Sequence, residues 1–161
     1  MSLRLIKAAT TIENADELHL ARLLLLLNEA DKRSSKAIEG IMKLAKLDFL
    51  LRYPNCLERI LIAKNKKTDK ANILPHERTS IESKMIRFRY GPWDERYRKW
   101  LGLLVAKGLA ITYLKGRTIY IELTDKGRKI VSDLSEKDEY RIMSTRSSEI
   151  YKAVGTESAT K

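Results

Sequence analysis

Histidine and cysteine are the side chains best suited to act as bases, nucleophiles or metal ligands, and they are scarce in this chain. The 161 residues include two histidines and one cysteine. His19 lies in a leucine-rich stretch and His76 follows a proline, and neither belongs to an HExxH motif or a paired-ligand spacing. Cys56 has no second thiol for a disulfide or a zinc site, so we interpret it as a small buried apolar residue. The phosphate-binding patterns GxxxxGK(S/T) and GxGxxG are also absent, and we predict a protein without catalytic residues, metal or cofactor.

Basic side chains are a second kind of functional candidate, because they bind phosphates and acidic protein surfaces. The formal net charge is +11, and residues 84–130 carry 12 basic and 4 acidic residues, which accounts for 8 of those 11 charges. The candidate nucleic-acid-binding residues in this segment are Arg87, Arg89, Arg98, Lys99, Lys115 and Arg117. The alternative is a solvated basic face without a partner.

Residues 92–107 are predicted to form the helix that positions Arg98 and Lys99. Its large apolar residues share one face at about 100° per residue, and its basic residues lie opposite. Gly108 is predicted to end the helix in a left-handed conformation. Gly102 lies in the middle of the exposed face, where it is either approached closely by another backbone or merely tolerated.

The stretch "KGLAITYLKGRTIYIELTDKG", residues 107–127, predicts a β-hairpin that leads directly into a helix. A lone hairpin is marginally stable in water, so we expect helices to cover its apolar face. Thr124 is placed to cap the following helix, and Gly127 indicates tight packing against the hairpin. Apolar residues alternate on both sides of the bend at 115–116, namely Ile111 and Tyr113 before it and Ile119, Ile121 and Leu123 after it.

This order of helix, glycine stop, hairpin with a basic tip and capped helix is that of a winged helix. The predicted fold class is therefore α+β and mostly helical, with a two-stranded wing and an additional C-terminal helix. Earlier in the chain, helical spacing and capping residues predict a helix over 16–30, a second from Ser34 or Ser35 to a stop at Pro54, and a third with Asn55 and Glu58 as its capping pair.

The segment between the second helix and the helix that precedes the hairpin is about 40 residues long, more than a compact helix-turn-helix requires. Residues 64–80 lose their periodicity and gather Lys, Asn, Asp and Pro, which predicts an irregular surface loop. Residues 84–90 alternate like a half-buried strand, which would carry Arg87 and Arg89.

We predict one winged-helix domain over 1–135, followed by a C-terminal helical extension and a disordered tail within 136–161. The extension has an apolar stripe, and the candidate partner-binding residues on it are Tyr140, Met143, Ile150 and Tyr151. The alternative is that this helix folds back over the N-terminal helices. No apolar run approaches the roughly 20 residues that span a bilayer, so we expect a cytoplasmic protein without membrane contact.

Three stretches of the chain resemble a known family: "EGIMKLAKLDFLLRYP", "RFRYGPWDERYRKWLGLLVAKGLA" and "GRTIYIELTDKG". Over roughly residues 16–135 the chain is similar to the middle component of the bacterial ABC-three-component defence systems, of which the Lamassu-type small subunit is one. The resemblance implies a noncatalytic winged-helix subunit. It would assemble with an SMC/Rad50-like coiled-coil ATPase and with an effector, often a nuclease, and help hold the effector silent until foreign DNA is sensed.

A free-standing winged-helix transcription regulator is the alternative function. The basic residues named above could all meet phosphates or guanine edges of double-stranded DNA. Against this, the predicted recognition face offers few Asn, Gln or Ser side chains for base reading, and Glu95 in its midst would repel phosphate. Non-specific DNA contact suits these residues better.

Overall fold

The computed structural model describes residue 4, residues 16–79 and residues 94–158, and it has the predicted α+β class, mostly helical with one small antiparallel sheet. The predicted strand at 84–90 lies outside the described residues. The described helices are α1 (Asp16–Asp31), α2 (Ile41–Arg52), α3 (Pro54–Ala63), α4 (Pro75–Thr79), α5 (Arg96–Ala106), α6 (Asp125–Glu136) and α7 (Asp138–Val154). A 3-10 turn occupies Asp69–Ala71, and the strands are β1 (Ala37–Glu39), β2 (Ala110–Lys115) and β3 (Thr118–Leu123).

Helix α1 is the centre of the hydrophobic core and confirms the helix predicted at 16–30. Its consecutive leucines, Leu23 to Leu27, are all 3% exposed or less, because α2, α6, α7 and the sheet surround it. A helix that is apolar on all sides is stable only when it is buried on all sides. The other elements are therefore arranged around α1.

Strand β1 was not predicted, and the helix cap expected at Ser34 or Ser35 is wrong. Residues 37–39 pair antiparallel with β3, and α2 begins only at Ile41, after Gly40. Ile38 fits helical spacing and also strand alternation, and a run of three residues does not distinguish the two. The pairing with β3 decides it, because Ile38 lies opposite Ile121 and both are fully buried.

The predicted hairpin is present as β2 and β3, with its turn one residue later than the predicted bend at 115–116. Lys115 pairs with Thr118, so the turn consists of Gly116 and Arg117, and Gly116 has the positive φ of 66° that a type II′ turn requires at its first position. Thr124 caps α6 as predicted, since its Oγ1 accepts the backbone N–H of Gly127 at 3.0 Å. Gly127 packs tightly, because a Cβ there would overlap the carbonyl oxygen of Leu109.

Residues 64–79 are more ordered than the irregular loop that was predicted. They contain the 3-10 turn and α4, and they bury Ala71 and Ile73 against the core. The buried guanidinium of Arg146 on α7 holds this segment through main-chain acceptors, with Nε 2.8 Å from the oxygen of Ala71 and Nη2 3.0 Å from that of Asn72. The prediction from composition was wrong because Arg146, which holds the segment in place, lies about 75 residues further along the chain.

The predicted capping of α3 is also wrong. Pro54 ends α2, as expected, but it is also the first residue of α3, and the N-cap is Tyr53 without a side-chain hydrogen bond. Glu58 instead forms a two-oxygen pair with Arg78 from α4, at 2.6 to 3.0 Å. The Glu58 carboxylate binds a guanidinium from another helix instead of capping α3. A charge-assisted hydrogen bond of this kind is stronger than one to a backbone amide.

Candidate interaction surface

The register of the hairpin assigns its apolar residues to opposite faces of the sheet. Residues that pair across an antiparallel ladder lie on the same face. Leu114 pairs with Ile119 on the face that continues into the core, and Tyr113 pairs with Tyr120 on the other face. The expectation that helices cover the apolar side of the hairpin therefore holds only for its base.

The outer part of the hairpin exposes large apolar side chains on both faces. The base is closed, since Ala110, Ile121 and Leu123 are 2% exposed or less. Beyond it, solvent reaches a set of side chains that we call the hairpin ridge: Ile111 (48% exposed), Tyr113 (40%), Leu114 (72%) and Ile119 (42%). Large exposed apolar side chains that are grouped on one element indicate an interaction site.

Aromatic stacking stiffens one face of the hairpin. The rings of Tyr113 and Tyr120 stack with centroids 5.6 Å apart, and Nζ of Lys115 lies 5.7 Å from the centroid of the Tyr120 ring. Partial desolvation and the neighbouring Glu122 carboxylate raise the pKa of Tyr113, so its hydroxyl keeps its proton. The tip therefore presents rigid rings beside a cation, rather than flexible side chains.

The candidate nucleic-acid-binding residues fall into three groups. Lys115 and Arg117 are exposed at the hairpin tip, as predicted, and Arg98 and Lys99 are exposed on α5. Lys99 already has a carboxylate, because its Nζ lies 3.0 Å from Oδ2 of Asp16, and this hydrogen bond is the largest cause of the lowered pKa of Asp16. Arg87 and Arg89 lie outside the described residues.

Two further lysines join the basic surface at the base of the hairpin. Nζ of Lys126, at the start of α6, donates to the carbonyl oxygen of Lys107, at the end of α5, over 3.0 Å. The sequence analysis did not name Lys107 and Lys126 as candidates. They lie on either side of the predicted hairpin, so pairing of its two strands brings them together. Nearby Arg128 is different, because it is engaged by the carboxylates of Asp31 and Asp125.

Two of the four predicted partner-binding residues of the C-terminal helix, Ile150 and Tyr151, are buried inside the protein. Helix α7 packs on α1 and α2, and Ile150 and Tyr151 are 0% and 4% exposed. Burial raises the pKa of Tyr151 to about 12. Tyr140 and Met143 are partly buried and pack against the same core. The alternative interpretation, that this helix folds back over the N-terminal helices, is the one observed.

The C-terminal end of the chain is also tied to the rest of the protein. Glu157 forms an ion pair with exposed Lys64 at the end of α3, so this part of the predicted disordered tail contacts the rest of the protein. Residues 159–161 lie outside the described residues.

His19 and Cys56 are residue types that are common in catalytic sites, and both are at least partly buried in the fold. His19 is 3% exposed, and its ring stacks on Trp100 with centroids 4.1 Å apart. Its Nδ1 accepts a hydrogen bond from the Arg22 guanidinium. Cys56 is half-buried, and burial raises the pKa of its thiol. No group of three His, Cys, Asp or Glu side chains in the described residues is arranged to hold a metal ion.

Comparisons with protein-family models, curated proteins and solved structures found no match to this chain. In the part of the chain that the structure describes, no helix is both long and apolar enough to cross a membrane.

The arrangement as a whole is suited to non-covalent binding. Its exposed elements are an apolar ridge, two cations at the ridge's tip and a helix face with Arg98 and Lys99. Apolar area supplies affinity, and the cations supply orientation and attraction toward a negatively charged surface.

Proposed function

We propose that this chain is a winged-helix subunit of a larger assembly. The order α1, β1, α2, α5, β2, β3 is that of a winged helix, with β1 completing a three-stranded sheet and α3 to α4 inserted between the second and third helices. In this arrangement α5 is the third helix and the β2–β3 hairpin is the wing. The antiparallel pairing of β1 with β3, absent from the sequence-based expectation, supports this assignment.

The assembly that we propose is a cytoplasmic anti-phage or anti-plasmid defence complex built on an SMC-like coiled-coil ATPase. The resemblance to the middle component of ABC-three-component systems supplies this identity, and it gives the chain a position between the ATPase and an effector, such as a nuclease. The observation that carries a subunit role is the hairpin ridge, with its four exposed large apolar side chains. DNA alone does not account for them, because phosphate contacts require polar and charged groups.

A noncatalytic role is supported by what the buried polar groups do. Asp48 accepts hydrogen bonds from Arg22 and Tyr97, and Arg146 binds both carboxylate oxygens of Glu77 at 2.9 and 2.7 Å. These pairs connect helices that are distant in sequence. These particular side chains are engaged in holding the fold together.

DNA contact is the second candidate function. Arg98 and Lys99 lie on α5, and Lys115 and Arg117 lie at the tip of the hairpin, the two elements that contact duplex DNA in winged-helix proteins. Exposed Glu95 and the Asp16 partner of Lys99 oppose tight phosphate binding. We therefore propose non-specific DNA proximity within the complex, and a free-standing transcription regulator remains the alternative.

Purification from cells that carry the native neighbouring genes separates the two functions. A tagged chain is expected to recover a large coiled-coil ATPase and a third protein in fixed stoichiometry. If the chain is instead recovered alone and protects one discrete DNA site in a footprint, the regulator interpretation replaces the subunit interpretation.

The DNA contribution is tested by charge reversal at Arg98, Lys115 and Arg117. Lys99 is left unchanged, because a glutamate there would repel Asp16 and disturb the fold. The matched control reverses Lys66, Lys67 and Lys70, exposed residues of the inserted segment. We expect the test variant to weaken DNA binding and to reduce the salt slope of log K by about 3 relative to the control. Equal binding by the two variants would remove DNA contact from the proposal.

A further inference from the structure

Strand β2 is an edge strand whose outer backbone groups have no strand neighbour within the described residues. The sheet order is β1-β3-β2, so β2 has β3 on one side only. In a two-residue hairpin the pair that flanks the turn, here Lys115 and Thr118, is hydrogen-bonded, and the ladder then alternates. By this alternation the N–H and C=O of Thr112 and Leu114 point to the outer edge.

This edge has little of the protection that proteins normally give to exposed strands. Natural edge strands are short, charged, bulged or interrupted by proline. Strand β2 is six residues long and reads AITYLK, with one charge at its end. Its residues 111–115 are all exposed. An edge of this kind is a template for pairing with another extended chain.

The charges around the edge favour an acidic strand. Lys115 and Arg117 lie at the tip next to β2, and Lys107 precedes the strand. Two carboxylates of the sheet lie outside β2: Glu39 is on β1 at the opposite edge, and Glu122 is on β3 opposite Ile111, beside Arg128 and Tyr113. The free edge therefore combines cations with apolar side chains and carries no acidic residue of its own.

We infer that β2 binds, by strand addition, an extended segment of a partner protein in which acidic and apolar residues alternate. Main-chain hydrogen bonds to Thr112 and Leu114 would supply affinity, and Leu114 and Lys115 would read alternate side chains on the two faces. The inference rests on the proposed subunit function and names the chemistry of the partner's binding segment.

Two other occupants of the edge are disfavoured by charge. A second copy of this chain would bring together two molecules that each carry a net charge of +11. The segment 84–90 of the same chain contains Lys84, Arg87 and Arg89, so it would place cations beside Lys115 and Arg117. An acidic segment meets no such repulsion.

The experiment places a photo-crosslinking residue at position 114 in cells that express the chain with its native neighbouring genes. Position 114 suits this because Leu114 is 72% exposed, and the matched control places the same residue at Ile62 on α3, which is 62% exposed. We expect an adduct from position 114, and none from position 62, to a mapped partner segment with excess Asp and Glu between apolar residues.

Two variants test the mode of binding. Thr112→Pro removes an outward N–H without removing a β2–β3 hydrogen bond, and it should lower the adduct yield about tenfold or more. If Thr112→Pro does not fold, as judged by circular dichroism, Lys115→Glu with Arg117→Glu is the replacement, because both side chains are exposed and reversal should also lower the yield about tenfold.

The outcomes separate this inference from the proposed function. An adduct to an acidic segment of a protein other than the ATPase or effector supports strand addition and contradicts the proposed function. Recovery of the ATPase without an adduct at position 114, or with a yield unchanged in the variants, overturns strand addition and leaves the function standing. An adduct to a second copy of the chain, to residues 80–93 or to DNA also overturns it.

Discussion

Tyr97 on α5 donates its hydroxyl hydrogen bond to Oδ2 of Asp48 on α2 over 2.6 Å. Nε of Arg22 on α1 donates to the other oxygen of the same carboxylate over 2.9 Å. Asp48 is 0% exposed, so one buried carboxylate joins the three helices α1, α2 and α5. Burial and the negative charge of Asp48 raise the pKa of Tyr97, which keeps the phenol protonated as a donor. The orientation of α5 thus depends on residues 49 positions apart in sequence.

Removing the donor at Tyr97 is expected to destabilise the protein. Tyr97→Phe should lower the free energy of unfolding by about 1.5–3 kcal/mol, because a buried hydrogen bond to a charged group is lost. Asp48→Ala should cost more, about 3–5 kcal/mol, because the buried Arg22 loses its counter-charge. Urea unfolding of Tyr113→Phe on the exposed hairpin is the control, with an expected change within about 0.5 kcal/mol. Equal effects of the two tyrosine variants would contradict a special role for the Tyr97 hydroxyl.

Two glycines should respond in opposite directions to alanine. Gly127→Ala should destabilise by at least about 2 kcal/mol, because its Cβ would overlap the carbonyl oxygen of Leu109. Gly102 lies in the middle of α5, and among the described residues nothing outside its own helix backbone comes within 4 Å of an added Cβ, so Gly102→Ala should stabilise by about 0.5–1 kcal/mol. Thermal unfolding of both variants measures the difference, and a destabilised Gly102→Ala would show that its surroundings are more crowded than described.

Arg146 is expected to hold the inserted segment against α7. Its side chain is 8% exposed, and it donates to Ala71, Asn72 and Glu77. Arg146→Ala should cost about 3–5 kcal/mol and accelerate hydrogen exchange in residues 69–77, because buried acceptors lose their donor. Arg141→Ala on the same helix is the control, since the Arg141 side chain is 68% exposed and its expected cost is within about 1 kcal/mol. Exchange that is unchanged in Arg146→Ala would show that the segment is held by other contacts.

The Glu77–Arg146 pair predicts a loss of stability in acid. Burial alone would raise the pKa of Glu77, but its hydrogen bonds to Arg146 and to the backbone of Leu74 outweigh burial and lower that pKa below the ordinary 4.5. A carboxylate with a lowered folded-state pKa stabilises the fold above its unfolded value, and this contribution disappears as the pH falls through the folded value.

The measurement is urea unfolding of Glu77→Gln and of the unmodified protein from pH 7 to pH 2. The stability difference should be largest above pH 4.5 and shrink in acid. In an Arg146→Met background the Glu77→Gln substitution should show a weaker pH dependence, because the partner that lowers the pKa is gone. A difference that grows on acidification would mean that the sign of the shift is wrong.

Much of the fold was predictable because it depends on local pattern. Leucine spacing predicted α1, and the glycine bend with alternating apolar residues predicted the hairpin. The helix ends at Thr124 and Gly108 were predicted correctly, because the backbone geometry of a helix end is set by the residues within one turn of it. The exposure of Lys115 and Arg117 followed from their place at the turn.

The predictions that were wrong concern features that depend on contacts between distant parts of the chain. Strand β1 exists because β3 pairs with it, and residues 64–79 are ordered because Arg146 reaches them. The register of β2 against β3 placed Ile111 and Tyr113 on the face opposite Ile121. Leu114 and Ile119 share the face of Ile121 but lie further towards the turn, beyond the buried base of the hairpin. Alternation alone shows that a strand has two faces, but not which face a helix will cover.

The sequence by itself therefore determined the longer helices, the hairpin, the order of these elements and the basic character of residues 84–130, but neither β1 nor the structure of residues 64–79. The tertiary structure decided which apolar side chains are buried in the core: Ile150 and Tyr151 are buried, while Leu114 and Ile119 are exposed. The physical reason is that helix and turn formation depends on neighbours along the chain, whereas burial depends on the free energy of packing all the elements together.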